Sequence, residues 1–137
     1  MSYDIMVFEK SKAPKTKADF MKWYEAQTEW SEDHDYQSVN VTSPSLKNWF
    51  IEIKDTFPPM NGELAPDDEL MDEDENLEAH LTDYSIGHDV IYGAFSWSLA
   101  EEAYNFVTQL AKKHDVGFFD VSGIDGDIIM PDGTKLE

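Results

Sequence analysis

The side chains best suited to acid–base or metal chemistry in this chain are a few histidines and a large set of carboxylates. The histidines are His34, His80, His88 and His114. No two of them are four residues apart on a helical pattern, and the H-E-x-x-H motif of zinc enzymes is absent. His34 lies between two aspartates and is expected to be exposed. Because a histidine paired with a carboxylate can transfer protons, His88 with Asp83 or Asp89 is the candidate acid–base pair.

Other catalytic motifs are missing from the sequence. It contains no cysteine, which excludes disulfides, thiolate zinc sites and cysteine nucleophiles. No serine lies in a G-x-S-x-G motif, and the glycines form neither a G-x-G-x-x-G nor a Walker loop. We therefore expect no resident cofactor, and the sequence favours a protein that is not an enzyme.

The carboxylates dominate the charge of the protein. Among 137 residues there are 29 acidic side chains and 10 basic ones, all lysine, which gives a net charge of −19. An anionic protein without arginine is unsuited to phosphate backbones, so we expect no nucleic-acid partner. The acidic residues are densest between positions 67 and 75, where the candidate partner-binding carboxylates are Asp67, Asp68, Glu69, Asp72, Glu73, Asp74 and Glu75.

A second group of carboxylates is predicted from strand alternation. Side chains two residues apart share a face of a strand, so Asp4, Asp83 and Asp120 converge if their sets lie on one sheet face. Carboxylate oxygens are the ligands that Mg²⁺ and Ca²⁺ prefer. The alternative function is therefore a metal-dependent enzyme or small-molecule binder that uses these three aspartates and His88.

Hydrophobic periodicity and turn residues predict the element order β-α-α-β-β-α-β-β. Thr16, Ser43 and Ser98 are the predicted N-caps of three helices, and Pro44 occupies the first turn of the second. A segment of about residues 61–80 follows that helix and is predicted to be an acidic loop or a weakly held helix. The predicted strands cover residues 3–9, 81–86, 90–97, 116–122 and 127–130.

This order predicts an α+β fold in one domain, residues 1–137. Without one helix and the C-terminal hairpin, the order becomes β-α-β-β-α-β, which is the ferredoxin-like split βαβ arrangement. We therefore expect an antiparallel-dominated sheet with helices on one face, an inserted helix, an acidic loop and a C-terminal β-hairpin. The inserted helix is a candidate to cover the other face.

The aromatic content indicates a binding surface as well as a core. Aromatic residues make up 13% of the chain, including four tryptophans. Trp23 and Trp30 lie seven residues apart on the first predicted helix, where they are candidates for an exposed aromatic surface. Aromatic side chains are frequent anchors of protein interfaces. Together with the acidic segment they predict a basic protein partner.

The opening residues Ser2 to Phe8 are similar to those of a group of small bacterial proteins that begin Ser-Tyr-Asp followed by apolar residues. Residues 82–87 and 116–120 resemble the same group. Some of these proteins are thought to lie beside toxin genes. This proximity to toxin genes is the functional hint that the resemblance carries, and it implies no fold, cofactor or catalytic residue.

The chain begins without a recognisable signal peptide and has no apolar run of about 20 residues, so we expect a cytoplasmic protein without a membrane partner. The favoured function is a non-enzymatic protein-binding module, an immunity or inhibitor protein for a cationic toxin or nuclease. The aspartate cluster on the sheet is the first alternative. A structural oligomerisation module, for which a homodimer is the simplest form, is the second.

Overall fold

The computed structural model describes residues 2–60, 62, 64–67, 69, 73 and 75–137, without the side chains of Glu75 and Asn76. Within these residues the helices are α1 (Lys17–Gln27), α2 (Pro44–Ile53), α3 (Glu75–His80) and α4 (Ala100–Lys113). The strands are β1 (Ser2–Phe8), β2 (Asp83–Ile86), β3 (Val90–Ser96), β4 (Gly117–Phe119) and β5 (Ile128–Ile129). Short 3₁₀ turns lie at Val39–Val41 and Trp97–Leu99.

The strands form an open antiparallel sheet in the order β2-β3-β1-β4-β5. β1 lies at the centre, because it pairs with β3 along its whole length and with β4 through its last three residues. β4 is shorter than the predicted strand: it ends at Phe119, and the amide of Val121 turns back to the Phe119 carbonyl. The predicted α+β class with an antiparallel sheet is confirmed.

Alternating residues of β1 separate two apolar clusters. Tyr3, Ile5 and Val7 pack against α2 and α4 on one face of the sheet. Met6 and Phe8 pack against α1 on the opposite face. α2 and α4 therefore share one face, and α1 covers the other face, where one additional helix was a candidate.

Two of the three predicted helix caps are present. The side chain of Thr16 accepts a hydrogen bond from the Asp19 amide, and that of Ser43 accepts one from the Leu46 amide. The predicted cap at Ser98 is wrong, because the 3₁₀ turn encloses this residue and α4 begins at Ala100 without a side-chain cap.

None of the helices in the described part of the chain is long and apolar enough to cross a membrane.

A charged clamp joins α2 to the end of α4. Glu52 accepts hydrogen bonds from Lys113 Nζ at 3.0 Å and from His114 Nε2 at 2.9 Å. The hydrogen bond from Lys113 has the largest effect on the Glu52 carboxyl and the one from His114 the next largest, and both lower its pKa. Since the folded carboxylate binds its proton less readily than the unfolded one, this clamp stabilises the fold above the ordinary glutamate pKa and is lost as the pH falls through the folded value.

Glu52→Gln is expected to lower the melting temperature at neutral pH, and this effect should shrink as the pH falls through the folded pKa of Glu52 and the wild-type carboxyl takes up a proton. Thermal unfolding followed by circular dichroism at several pH values measures this. The control is Glu25→Gln on the exposed side of α1, which removes the same charge. Because the protein has a net charge of −19, removing one negative charge by Glu25→Gln relieves repulsion and should not destabilise the protein. Equal effects of the two variants would contradict the clamp.

Candidate functional site

The acidic segment is exposed wherever its side chains are described. Asp67, Glu69 and Glu73 are exposed. Asp68, Asp72 and Asp74 lie outside the described residues, and so does the side chain of Glu75 at the start of α3. The role of this segment in partner binding stays a prediction.

Trp23 and Trp30 are both half-buried against other rings of the protein. Trp23 lies with its ring centroid 6.1 Å from Phe8 and 5.4 Å from Phe20, in the cluster beneath α1. Trp30 follows α1 and makes edge contacts with Tyr36 and Tyr92. Much of each indole is therefore used within the fold.

The three candidate aspartates do not converge. Asp4 of β1 and Asp83 of β2 both pair with Ala94 of β3, which lies between these two strands. The two aspartates therefore point to the same face of the sheet, but β3 separates them. At two strand spacings their backbones are about 9.6 Å apart. Asp120 accepts a hydrogen bond from the hydroxyl of Tyr3, whose side chain points to the opposite face. His88 lies in the turn that follows β2, at the opposite end of that strand from Asp83, so His88 does not pair with Asp83.

Asp4 is instead the acceptor of a small polar network. Its carboxylate accepts hydrogen bonds from Tyr92 at 2.6 Å and from Ser2 at 2.6 Å. Its backbone exchanges hydrogen bonds with Ser122, which ties β1 to the loop after β4. Burial and the Asp4 hydrogen bond raise the pKa of Tyr92. This arrangement keeps Tyr92 as a neutral donor and occupies the Asp4 carboxylate, so it is structural in character.

On the other face, Asp120 lies beside exposed aromatic side chains. Tyr3 donates to Asp120 at 2.5 Å, and the Tyr3 ring makes an edge contact with Trp97 at 6.1 Å. Tyr104 of α4 packs edge-on against Phe118. Burial, followed by the charges of Asp120 and Asp127, raises the pKa of Tyr104. Trp97, Tyr104, Asp120 and Asp127 form what we call the aromatic–acidic patch.

Three potential metal-ligating side chains do come together, at a place the sequence patterns did not indicate. Glu32 and His34 lie in the loop between α1 and α2, and His88 lies in the turn between β2 and β3. Oε1 of Glu32 is 2.6 Å from Nε2 of His34 and 3.5 Å from Nε2 of His88. The His34 side chain is 14% exposed, so the expectation of an exposed histidine is wrong. We call these three residues the Glu–His cluster.

Local structure brings the Glu–His cluster into position. The Glu32 amide donates to the hydroxyl of Tyr36, and the Tyr36 carbonyl accepts from the amide of Ile86 at the end of β2. The His88 amide donates to Glu32 Oε1 at 3.0 Å. A Cβ atom on Gly87 would lie 3.1 Å from the other oxygen of Glu32, so glycine at this position leaves room for the carboxylate.

Comparisons of this chain with protein-family models, with curated proteins and with solved structures give no significant match. What the patch and the cluster can do follows from their own residues. The patch offers aromatic surface in a negative field. The cluster offers two imidazole nitrogens and a carboxylate oxygen.

Sequence reasoning missed Trp97, Tyr104, Glu32 and the pairing of His34 with His88. Trp97 ends a segment with a strong apolar pattern, which favoured a core position for its ring, and Tyr104 was not part of the apolar pattern of its helix. Glu32 and His34 form an E-x-H pair, a weak signal on its own. Its partner His88 is more than 50 positions away, so no spacing rule connects them.

Proposed function

We propose that this protein is a non-enzymatic binding module that recognises a basic protein through the aromatic–acidic patch. The observation that carries the proposal is the exposure of Trp97 and Tyr104, 50% and 38%, beside Asp120. Trp and Tyr are enriched among the side chains that anchor protein interfaces.

The charge of the protein selects the class of partner. A net charge of −19 attracts cationic proteins over long distances and accelerates their association. The exposed carboxylates of Asp67, Glu69 and Glu73 extend this field beyond the patch. A toxin or nuclease with a basic surface fits the negative net charge and the exposed carboxylates, because its positive surface binds an array of negative charges.

The position of Tyr104 near two carboxylates supports the same role. Its hydroxyl stays protonated and can donate to an acceptor on the partner, while Asp120 and Asp127 attract lysine or arginine. Asp127 already pairs with Lys135 at 2.9 Å through Oδ1, an oxygen that is itself shielded from solvent.

The two alternative functions have less support. A metal-dependent enzyme built on Asp4, Asp83, Asp120 and His88 needs carboxylates in contact, and these residues lie on two faces and at two ends of the sheet. In an oligomerisation module the occupant of the patch would be a second copy. The high like charge of two copies opposes that association.

We propose further that the fold is the ferredoxin-like split βαβ arrangement. The antiparallel order β2-β3-β1-β4, with α2 and α4 on one face, supports it. In that interpretation α1 is the inserted helix and β5 completes the C-terminal hairpin.

The double variant Trp97→Ala/Tyr104→Ala is expected to lose binding of the basic partner at least tenfold. Wild-type protein and variants are immobilised and exposed to lysate of the source organism at low and high salt, and bound proteins are identified by mass spectrometry. The captured partner is then purified, and its affinity for each variant is measured. We expect one stoichiometric basic protein that salt releases.

The matched control is Ile51→Ala, which removes an exposed apolar side chain from α2, outside the patch. It should bind as wild type does. An affinity that is constant from low to high ionic strength, or equal for the double variant and wild type, contradicts the proposal, as does an empty column. Size-exclusion chromatography with light scattering identifies a second copy as the occupant.

A further inference from the structure

We propose that the Glu–His cluster of Glu32, His34 and His88 is a binding site for a divalent transition-metal ion, with zinc the best fit. One ligand atom from each residue lies within 4.8 Å of the others. Two imidazole nitrogens and one carboxylate oxygen suit zinc, whereas Mg²⁺ and Ca²⁺ prefer oxygen ligands alone. A water molecule would complete four-coordination.

The distances are close to those that a metal needs. Ligand atoms about 2.0 Å from a tetrahedral zinc ion are about 3.3 Å from one another. The 3.5 Å between Glu32 Oε1 and His88 Nε2 is near this value. The 2.6 Å between Glu32 Oε1 and His34 Nε2 is a hydrogen-bond length, and it must increase by roughly 0.7 Å when a metal replaces the shared proton.

The hydrogen bond on the far side of His88 sets its ring for coordination. Nδ1 lies 2.9 Å from the carbonyl oxygen of Val41, which can only accept, so Nδ1 carries the proton. In the neutral ring, Nε2 then directs a lone pair toward the carboxylate of Glu32, and two acceptors face each other. A cation between them removes the repulsion. Histidines that bind metals commonly donate their other N–H to a backbone carbonyl in this way.

His34 has the opposite arrangement, which gives metal binding a recognisable signature. Its Nδ1 accepts the amide hydrogen of Tyr36 at 3.0 Å, so Nε2 carries the proton shared with Glu32. Coordination through Nε2 requires that proton to move to Nδ1 and the Tyr36 amide to lose its acceptor. We therefore expect moderate affinity and a large change at the Tyr36 amide.

The backbone of the loop supports a specialised role. Trp30 and Tyr36, which flank Glu32 and His34 in the sequence, have φ values of 53° and 61°, the left-handed region that favours glycine. Non-glycine residues persist there when their surroundings hold them, and such strain concentrates at ligand sites. Ring contacts of Trp30 with Tyr36 and Tyr92, at 5.2 and 5.9 Å, hold both residues in place.

The test is calorimetric titration of metal-free protein with Zn²⁺ near neutral pH, with Co²⁺ absorption as a reporter of geometry. We expect one ion per chain, and at least tenfold weaker binding by His88→Gln, whose side chain is 58% exposed and whose loss leaves the fold intact. Glu32→Gln should weaken binding similarly. In amide NMR spectra, Zn²⁺ should shift the Tyr36 resonance among the most strongly perturbed.

The matched control is His114→Gln, which removes a histidine hydrogen-bonded to Glu52 and outside the Glu–His cluster. It should bind Zn²⁺ as wild type does. Equal Zn²⁺ affinity of wild type and His88→Gln would overturn the proposal and indicate binding to surface carboxylates. The absence of Zn²⁺ binding would also overturn the proposal, and it would indicate that a proton on His88 Nε2, not a metal ion, lies between His88 and Glu32. Neither result bears on partner binding by the aromatic–acidic patch.

Discussion

Gly117→Ala is expected to lower the free energy of unfolding by about 3 kcal/mol, a large effect for one methyl group. A Cβ atom at this position would enter the ring of Phe8, its cross-strand partner in β1. The ring has little freedom to move, because Phe20 lies 4.9 Å away between centroids and Phe8 is fully buried. The φ of Gly117 is outside the left-handed range, so the cost comes from the contact alone.

A double-mutant cycle with Phe8→Leu isolates this contact. Leucine lacks the outer ring atoms that meet the new Cβ, so Gly117→Ala should cost less than about 1 kcal/mol in that background. Denaturant unfolding of the four proteins gives the coupling energy. The same cost in both backgrounds would show that the close approach of Phe8 to Gly117 does not determine the packing of β1 on β4.

Above about pH 10 the protein is expected to lose stability steeply. Tyr3, Tyr84 and Tyr92 are withdrawn from solvent, and burial raises the pKa of each. Asp120 and Asp4 raise the pKa values of Tyr3 and Tyr92 further. In the unfolded chain these phenols ionise near pH 10, whereas the folded protein keeps them protonated, so rising pH favours unfolding. Each ionising tyrosine lowers the free energy of unfolding by about 1.4 kcal/mol per pH unit, so all three together lower it by at most about 4 kcal/mol per pH unit.

Since total stability is typically 5–15 kcal/mol, alkaline unfolding is expected within two or three pH units. Denaturant unfolding at a series of pH values measures the slope, and phenolate absorbance follows ionisation. Tyr84→Phe should reduce the slope by about a third, and it removes a hydroxyl that donates to the Phe57 carbonyl. Ionisation of all six tyrosines near pH 10 while the protein remains folded would contradict the expectation.

Local features of the fold were predictable because short-range physical chemistry controls them. The helix caps at Thr16 and Ser43 each satisfy an amide three residues ahead, which any chain with that spacing can do. The apolar stripe of α2 and the alternation of β1 follow from helical and strand periods. The predicted cap at Ser98 was wrong because Ser98 lies inside a 3₁₀ turn, whose position depends on the packing of neighbouring residues.

The sequence by itself determined the charge, the absence of cysteine, the α+β class and most helix positions. Only the tertiary structure decided which side chains meet. Asp4 and Asp120 each followed the alternation rule, yet they lie on opposite faces because the register of β4 against β1 depends on packing. Glu32, His34 and His88 meet because the loop after α1 folds onto the β2–β3 turn. Such contacts depend on the balance of many weak interactions across the chain, which no local spacing records.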